Sequence, residues 1–196
     1  MKNDLILANV AKHITLDQDE VHYFTSLLKY REVEKGASLL KEEDVCTTLS
    51  YVHSGALRAY YLGKYGKEST IMFAIADWWV TDMYCFLNCL PAMTYIEAIE
   101  ESYICQLSKE HFDQLLAEVP KFERFFRILM QNAYTREQLR IIQNLSQSAE
   151  ERYRNFLQKY PLIAQQVTQK QIASYLGITP EFLSSIRKNL NWEIIS

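Results

Sequence analysis

The stretch "QKQIASYLGITPEFLSSIRKNL", residues 169–190, constrains the fold of this chain more than any other. Gly177 separates two helical patterns, and glycine adopts the positive φ of a tight turn without steric cost. Thr179 and Pro180 follow it as an N-cap and a first helical residue, the positions that these residue types favour. Thr168 can cap the first helix in the same way. The stretch therefore predicts a helix-turn-helix.

The two predicted helices separate apolar from polar positions. Their inward face consists of Ile172, Ala173, Leu176, Ile178, Leu183 and Ile186. On the second helix Glu181, Ser184, Ser185 and Lys188 have the spacing i, i+3, i+4 and i+7, so they share one outward stripe. A solvated helical hairpin would also be polar outside. Short donors and acceptors near the helix start, with cations further along, favour a reader of the DNA major groove. The predicted DNA contacts are Thr168, Gln169, Lys170, Thr179, Pro180, Glu181, Ser184, Ser185, Arg187 and Lys188.

The charge distribution is compatible with a C-terminal nucleic-acid-binding module. The 196-residue chain has a net charge of −3, but from Gln147 onward six Lys/Arg oppose four Asp/Glu. The remainder carries fifteen against twenty. Hydrophobic residues make up 48% and charged residues 23%, which is typical of globular proteins and excludes a disordered chain.

Residues 30–108 have the texture of an antiparallel β structure. Short segments rich in Thr, Tyr, Ile and Val alternate with glycine turns at intervals of roughly 8–12 residues. This pattern predicts a barrel or a sandwich, with short helical pieces before it in residues 1–28. The less regular WWVTDMYCFLNCLPA is predicted to wrap one side of it.

A long helical pattern follows, from about Ser108 to Leu145, with a break expected at Pro120. From Pro120 onward it would measure about 40 Å, and no later helix is long enough to pair with it. We expect it to meet its twin in a dimer, the alternative being a helix packed on its own barrel. The predicted interface residues are Phe122, Phe126, Leu129, Ala133, Leu139 and Ile142. Ser148 and Glu151 then form a capping box that opens the next helix.

Neither a metal centre nor a membrane segment is expected. Cys46, Cys85, Cys89 and Cys105 form no zinc-like spacing, so buried free thiols are predicted rather than a metal or redox site. The first residues have no signal-peptide pattern, and the longest uncharged run is too short to span a bilayer. A cytoplasmic protein is expected.

The order of β domain, long helix, capping box and helix-turn-helix resembles the CRP/FNR family of bacterial transcription regulators. The segments "SAEERYRNFLQKYP" and "QKQIASYLGITPEFLSSIRKNL" carry the resemblance most clearly. It implies an α+β chain with an N-terminal jelly-roll, cyclic-nucleotide-binding-like β-barrel, a dimerisation helix and a winged helix-turn-helix. The expected domains are a sensor over 1–118, the dimerisation helix over 119–146 and the DNA-binding domain over 147–196. The expected partners are double-stranded DNA and a second copy of the chain, with RNA polymerase as a further candidate and no membrane.

Three departures from the family pattern qualify this expectation. Members that bind cyclic AMP use a Gly-Glu pair and an Arg-Ser or Arg-Thr pair, and here Ala76-Asp77 and Ala92-Met93-Thr94 stand in those places. Without the arginine, the usual mode of cyclic-nucleotide binding is not expected. No cysteine precedes Cys46, so an iron–sulfur sensor is not expected, and no cofactor is predicted. Ser185 replaces the family's guanine-reading arginine, which predicts a related but distinct operator.

The C-terminal wing is expected to be a stub, because Asn191–Ser196 are too few for a two-stranded hairpin. A small apolar or aromatic effector is proposed near the tryptophans, the alternative being a packed core that binds nothing. The residues assigned to this pocket are Asp77, Trp78, Trp79, Met83, Phe86, Met93 and Thr94.

Two other functions compete with a DNA-binding regulator. One is a ligand- or partner-binding module with weak or lost DNA binding, which Ser185 and the short wing would suit. The other is an enzyme, but the four histidines are scattered and no catalytic motif accompanies any of them, so no catalytic residues are assigned.

Overall fold

The computed structural model describes residues 3–195, with side chains described for residues 3–190. Two short helices open the chain, α1 (Asp4–Ala11) and α2 (Gln18–Ser26). Helix α2 begins at a capping box in which the Asp17 side chain accepts from the Glu20 amide and Glu20 reaches back to the Asp17 amide. The expected short helical pieces before the β region are therefore confirmed.

Over residues 3–195, eight strands form two antiparallel sheets of four. The strands are β1 (Lys29–Val33), β2 (Ser38–Leu40), β3 (Thr48–Ser54), β4 (Ala56–Leu62), β5 (Glu68–Ile75), β6 (Trp79–Val80), β7 (Tyr95–Ala98) and β8 (Ser102–Ser108). Their order is β1-β8-β3-β6 in one sheet and β2-β7-β4-β5 in the other, the order of a jelly roll. The predicted fold class is confirmed, although the two sheets form a sandwich and do not close into a barrel.

A glycine is required where β3 turns into β4. Gly55 has φ +83°, and a Cβ there would lie 2.5 Å from the carbonyl oxygen of Glu101. Such a separation is far below van der Waals contact, so any side chain would push β4 away from the neighbouring turn. Beyond this turn, β4 pairs with β5 from Ala56 opposite Ile75 to Leu62 opposite Glu68.

Between β6 and β7 lies the short helix α3 (Met83–Asn88), within the segment that was expected to wrap the β domain. Asp82 caps it by accepting from the Cys85 amide. Cys46, Cys85 and Cys105 are buried free thiols, as predicted, whereas the thiol of Cys89 is exposed. Cys89 ends α3 in the left-handed conformation, which turns its side chain away from the core.

The long helical pattern breaks at Pro120 as predicted, giving α4 (Lys109–Glu118) and α5 (Lys121–Ser146). The first turns of α5 bury Phe122, Phe125 and Phe126 in the core of the β domain. The helix then extends beyond that domain, and its exposed apolar side chains lie in the second half.

The C-terminal region contains four helices, α6 (Ala149–Lys159), α7 (Ile163–Gln166), α8 (Gln169–Leu176) and α9 (Pro180–Ile195). The predicted capping box of Ser148 and Glu151 opens α6. Helix α9 continues through Ile195 and no strand follows β8 in residues 109–195, so no two-stranded wing is present there, and the tail is helical where a wing stub was expected. Ser196 lies outside the described residues.

Two apolar clusters hold these elements together. The larger fills the sandwich and includes the first turns of α5. The smaller is shared between the sandwich and the C-terminal helices, since Ala56, Phe73 and Ile99 pack with Phe156 and Tyr160. Among the helices described over residues 3–195, none is both long and apolar enough to cross a membrane.

Candidate functional site

The helix-turn-helix forms from local hydrogen bonds that the sequence encodes. The Thr168 hydroxyl accepts from the Gln171 amide at 3.2 Å, and the Gln171 side chain accepts from the Thr168 amide at 2.9 Å. Gly177 ends α8 with φ 70°, in the left-handed conformation. The Thr179 hydroxyl then accepts from the Phe182 amide at 3.2 Å at the start of α9. The predicted caps and turn are confirmed.

The outward stripe of α9 is open to solvent. Glu181, Ser185 and Lys188 are exposed and Ser184 is half-buried, while Leu183 and Ile186 face α8. The other side chains assigned to DNA contact, at positions 168–170, 179, 180 and 187, are exposed as well. Within residues 3–190, Glu181, Arg187 and Lys188 take part in no ion pair, so their charges are available to a partner.

Two features of this surface were not predicted. Phe182, in the first turn of α9, keeps 52% of its surface exposed. The sequence does contain a signal for this exposure. Leu183 and Ile186 already form the inward face of α9, so an aromatic residue directly beside Glu181 has to lie outside that face. The Ser185 hydroxyl donates to the Glu181 carbonyl at 3.2 Å, so part of its hydrogen-bonding capacity is used within the helix.

A cavity of about 400 Å³ lies between the sandwich and α5. Five of the residues assigned to an effector pocket line it, namely Asp77, Trp78, Trp79, Met83 and Thr94. The other two, Phe86 and Met93, are not among its lining residues. Phe86 is fully buried and packs edge-on against Phe112, while Met93 is 48% exposed.

Asp82, which the sequence reasoning did not single out, holds the polar end of this cavity. Its carboxylate is 7% exposed and accepts from the Met93 amide at 2.9 Å and from the Thr94 hydroxyl at 3.0 Å. These donors belong to the segment predicted to replace the family's phosphate-binding pair. An entering phosphate would therefore find these donors already bonded to a carboxylate, while the arginine that lines the cavity, Arg136 of α5, lies over the Trp78 ring and is not part of this segment. The sequence feature that could have identified Asp82 is an aspartate at the N-cap position directly before the helix Met83–Asn88.

Asp77 has a different role from a ligand-binding acid. Its carboxylate accepts from Asn9 Nδ2 at 2.8 Å and from the Tyr51 hydroxyl at 2.8 Å, and it forms an ion pair with Lys12. Burial alone would raise the pKa of this carboxyl, but the hydrogen bonds from Lys12, Tyr51 and Asn9 outweigh it and lower the pKa. Asp77 thus attaches α1 to the sandwich.

The cavity is connected to the C-terminal helices through Trp78. The Arg136 guanidinium lies 4.8 Å from the centre of the Trp78 ring, and the Tyr160 ring of α6 lies 6.1 Å from it. Trp78 therefore contacts α5 and α6 while also lining the cavity. A ligand that moves this side chain would act on the position of the DNA-facing helices.

Helix α8 itself rests on the edge strand β5. The Phe73 and Tyr175 rings are 5.5 Å apart, and Arg140 of α5 donates to the carbonyls of Thr70, at 3.1 Å, and Ile71. The Arg140 guanidinium also lies 4.6 Å from the centre of the Tyr175 ring. One side chain of the long helix thus contacts both strand β5 of the sandwich and the first helix of the helix-turn-helix.

The proposed dimer face of α5 needs correction. Phe122 and Phe126 are buried in the core of their own chain, so they are not available to a partner, and Leu129 packs against the same core. Ala133 lines the cavity. The stripe of α5 that covers the sandwich consists of Phe122, Phe126, Leu129 and Ala133. In its N-terminal half, α5 is therefore packed on its own domain, which was the alternative to a dimer interface. The exposed apolar side chains of α5 are Tyr134, Leu139, Ile141, Ile142 and Leu145.

Comparison with known proteins agrees with this architecture. Residues 30–119 match the family model of the cyclic nucleotide-binding domain. The fumarate and nitrate reduction regulatory protein of Vibrio cholerae is 24% identical over 197 residues, covering 93% of this chain and 77% of that protein.

Two solved structures share the fold. A protein from Eubacterium rectale assigned to the crp/fnr family of transcriptional regulators superposes with a TM-score of 0.74 at 21% identity, covering 91% of this chain and 85% of the other. FixK2 from Bradyrhizobium japonicum also gives 0.74, at 16% identity, with 85% of each chain covered.

Proposed function

We propose that this chain, which belongs to the CRP/FNR family of transcription regulators, binds a specific DNA site as a homodimer and responds through its sensor domain. The observation that carries the proposal is the exposed polar stripe of α9, whose charges have no ion-pair partner within residues 3–190. Exposed unpaired charges are ordinary on a solvated helix, so it is their position on the second helix of a helix-turn-helix that favours DNA binding.

The side chains of α9 suit distinct contacts with a major groove. Glu181 can accept from the amino group of cytosine, and the exposed ring of Phe182 can pack against a thymine methyl. Arg187 and Lys188 suit phosphate contacts, which position the helix without reading sequence. Ser185 cannot make the bidentate guanine contact of an arginine, so the half-site differs from one read by a Glu-x-x-Ser-Arg helix.

A dimer would place two recognition helices on successive major grooves, about 34 Å apart, on a pseudo-palindromic site. The exposed apolar side chains of α5 support this assembly, because Leu139, Ile141 and Ile142 would otherwise remain in water. Symmetric pairing of two long helices buries such a stripe on both copies at once.

The sensor domain is proposed not to use cyclic nucleotides in the usual way. Asp82 already occupies the Met93 and Thr94 donors, and its charge would repel a phosphate. The cavity of about 400 Å³ beside it is lined mainly by apolar side chains, which suits a small apolar or aromatic effector without a negative charge near Asp82. An effector that moved Trp78 would alter its contact with Tyr160 and thereby the position of α6. This role is one of binding, and we assign no catalysis to the chain.

A mobility-shift experiment on genomic fragments at low salt tests the proposal. We expect a retarded complex whose logarithmic affinity falls linearly with the logarithm of salt concentration, with a slope of roughly −0.9 for each phosphate contacted. Lys188→Gln should make the slope shallower by about 2, because each copy of the dimer loses one contact, whereas Lys64→Gln, in the exposed hairpin between β4 and β5, should not change it. A purified protein that gives no salt-sensitive shift would instead favour a ligand- or partner-binding module.

A further inference from the structure

A second cavity, of about 390 Å³, lies where the C-terminal half of α5 meets α6 and α8. It is separate from the cavity beside Asp82 except that Arg136 borders both. Among the side chains described over residues 3–190, four basic ones line it, Arg136, Arg140, Arg152 and Lys159, and no carboxylate does. The chain as a whole is acidic, with a net charge of −3. A cleft lined by four cations is therefore not what the average charge of the chain would lead one to expect.

The positive charge of this cleft is poorly compensated. The nearest ion-pair partner is Glu137, whose carboxylate lies 3.5 Å from Arg136 Nε and 3.4 Å from Arg140 Nη1. Both distances exceed the roughly 2.7–2.9 Å of a good charge-assisted hydrogen bond. Within residues 3–190, Arg152 and Lys159 form no ion pair. Partial burial lowers the pKa of Lys159, and the charges of Arg136 and Arg140 lower it further, against the opposing effect of Glu137.

The guanidinium groups are held in place before any ligand arrives. Arg140 is bound to backbone carbonyls of β5 and lies over the Tyr175 ring. Arg152 donates to the carbonyls of Gln147 at 2.8 Å and of Leu176 at 3.3 Å. Lys159 is different, because its side chain is largely accessible although the ammonium is partly desolvated, and within residues 3–190 its Nζ makes only a ring contact, 5.2 Å from the centre of Tyr160. The cleft thus combines fixed positive charge with one mobile donor.

The rest of the lining suits an organic ligand better than a bare ion. The Phe156, Tyr160 and Tyr175 side chains supply an aromatic wall, and Gln143, Asn144 and Gln158 supply amide groups. A volume of about 390 Å³ lies within the range of small-molecule sites, roughly 300–1,000 Å³. Arginine and lysine together are the usual partners of phosphate.

We propose that this cleft binds a small organic anion through a phosphate group, with Lys159 as the mobile donor and the aromatic wall against the rest of the ligand. The ligand would contact α5 on one side and α6 and α8 on the other. It would therefore stabilise the arrangement in which the long helix and the helix-turn-helix are adjacent, since a ligand favours the conformation that it binds best. The proposal does not depend on DNA binding.

Isothermal titration calorimetry of the full chain with inorganic pyrophosphate, at low ionic strength and without DNA, tests the site. We expect saturable binding of one pyrophosphate per chain. Lys159→Gln should weaken it about fivefold or more, because an exposed cation loses a charge-assisted contact without disturbing a buried structure. Lys64→Gln, which removes an equally exposed lysine on the sensor hairpin, should bind as the wild type does. Absence of saturable binding, or equal binding by Lys159→Gln, would overturn the proposal.

The phosphate could instead come from the DNA backbone, and a second measurement distinguishes the two sources. In the absence of pyrophosphate, Lys159→Gln should bind DNA as tightly as the wild-type protein does. A loss comparable to that of Lys188→Gln would assign the cleft to DNA and overturn the proposal. Because the calorimetry contains no DNA, its result stands whether or not the chain proves to be a DNA-binding regulator.

Discussion

The Ser174 hydroxyl of α8 accepts a hydrogen bond from the Thr70 amide of β5 at 2.8 Å, across a separation of 104 residues along the chain. The same hydroxyl donates to the Glu68 carbonyl at 2.8 Å. It thereby satisfies two backbone groups on the edge strand of the sensor sheet, which would otherwise lie under α8 without a partner. A single small side chain joins the first helix of the helix-turn-helix to the sensor domain.

Ser174→Ala should weaken this junction. Loss of the hydroxyl leaves the Thr70 amide, in a residue only 2% exposed, without its acceptor, and such a loss costs about 1–3 kcal/mol. We expect faster hydrogen exchange of the Thr70 amide and a lower thermal midpoint. Ser26→Ala removes an exposed hydroxyl that bonds only within α2, and it should change neither quantity. Wild-type exchange at Thr70 in Ser174→Ala would contradict this role.

Glu181→Ala should relax base preference at one position of each half-site. The carboxylate is the only acceptor of its kind in the outward stripe of α9, and a lost base contact removes about 1–3 kcal/mol of discrimination. Selection of bound sequences from a random pool measures this directly. Glu118→Ala, at the exposed end of α4, serves as the matched control. Equal selectivity of Glu181→Ala and wild type would rule out the docking described above.

Calorimetry with cyclic AMP and with cyclic GMP should detect no binding at the sensor cavity. The Met93 amide and Thr94 hydroxyl already donate to Asp82, and Arg136, the arginine that lines the cavity within residues 3–190, comes from α5 and lies over the Trp78 ring. Removing these donors would leave the Oδ2 atom of a buried carboxylate without a partner, since the Cys85 amide donates to the other oxygen, and such a loss is costly. Micromolar affinity for either nucleotide would show that Asp82 moves aside, contrary to this account.

Ile141→Glu combined with Leu145→Glu should convert a dimer into monomers. These side chains are 59% and 84% exposed in the single chain, so the substitutions should not disturb its fold. Placing like charges at a symmetric interface makes each copy repel the other. Sedimentation equilibrium measures the outcome. Leu162→Glu, at a position 72% exposed near α7, is the control and should remain dimeric. Persistence of the dimer in the double variant would place the interface elsewhere.

The contribution of Asp77 to stability should disappear in acid. Because its pKa in the folded chain lies below the ordinary value of about 3.9, the carboxylate stabilises the fold above that pH. The stabilisation is lost as the pH falls through the lower folded pKa. Thermal midpoints of wild type and Asp77→Asn should therefore differ at pH 6 and converge toward pH 3. A difference that is constant over this range would mean that the charge of Asp77 is not what attaches α1.

The long helix shows where prediction from sequence reaches its limit. Both of its faces carry apolar residues at helical spacing, so either face could have met a partner. Phe126 is buried in its own chain at 5% exposure, whereas Leu139 keeps 55% of its surface exposed. The position of the sandwich beside the first turns decided which stripe is internal, and that position follows from strands far away in sequence.

Local chemistry alone determined the helix-turn-helix. A capping hydroxyl and its partner are three residues apart, as in Thr168 with Gln171, and the strain of a left-handed turn at Gly177 is a property of one residue. Such interactions form within a single turn of chain and can be read without knowing what surrounds them. The alternation of short β segments likewise predicted an antiparallel β domain, because its period is set by the pleat of each strand, but it left open whether the sheets form a barrel or a sandwich.

Only the tertiary structure decided which polar and charged groups lie next to one another. Asp82 meets Met93 and Thr94 across α3, Ser174 meets Thr70 across most of the chain, and four cations line one cleft although they come from two helices. These groups have no fixed spacing in sequence, because their approach depends on how whole elements pack. Burial then makes each pairing matter, since a polar group removed from water must find a partner in the fold.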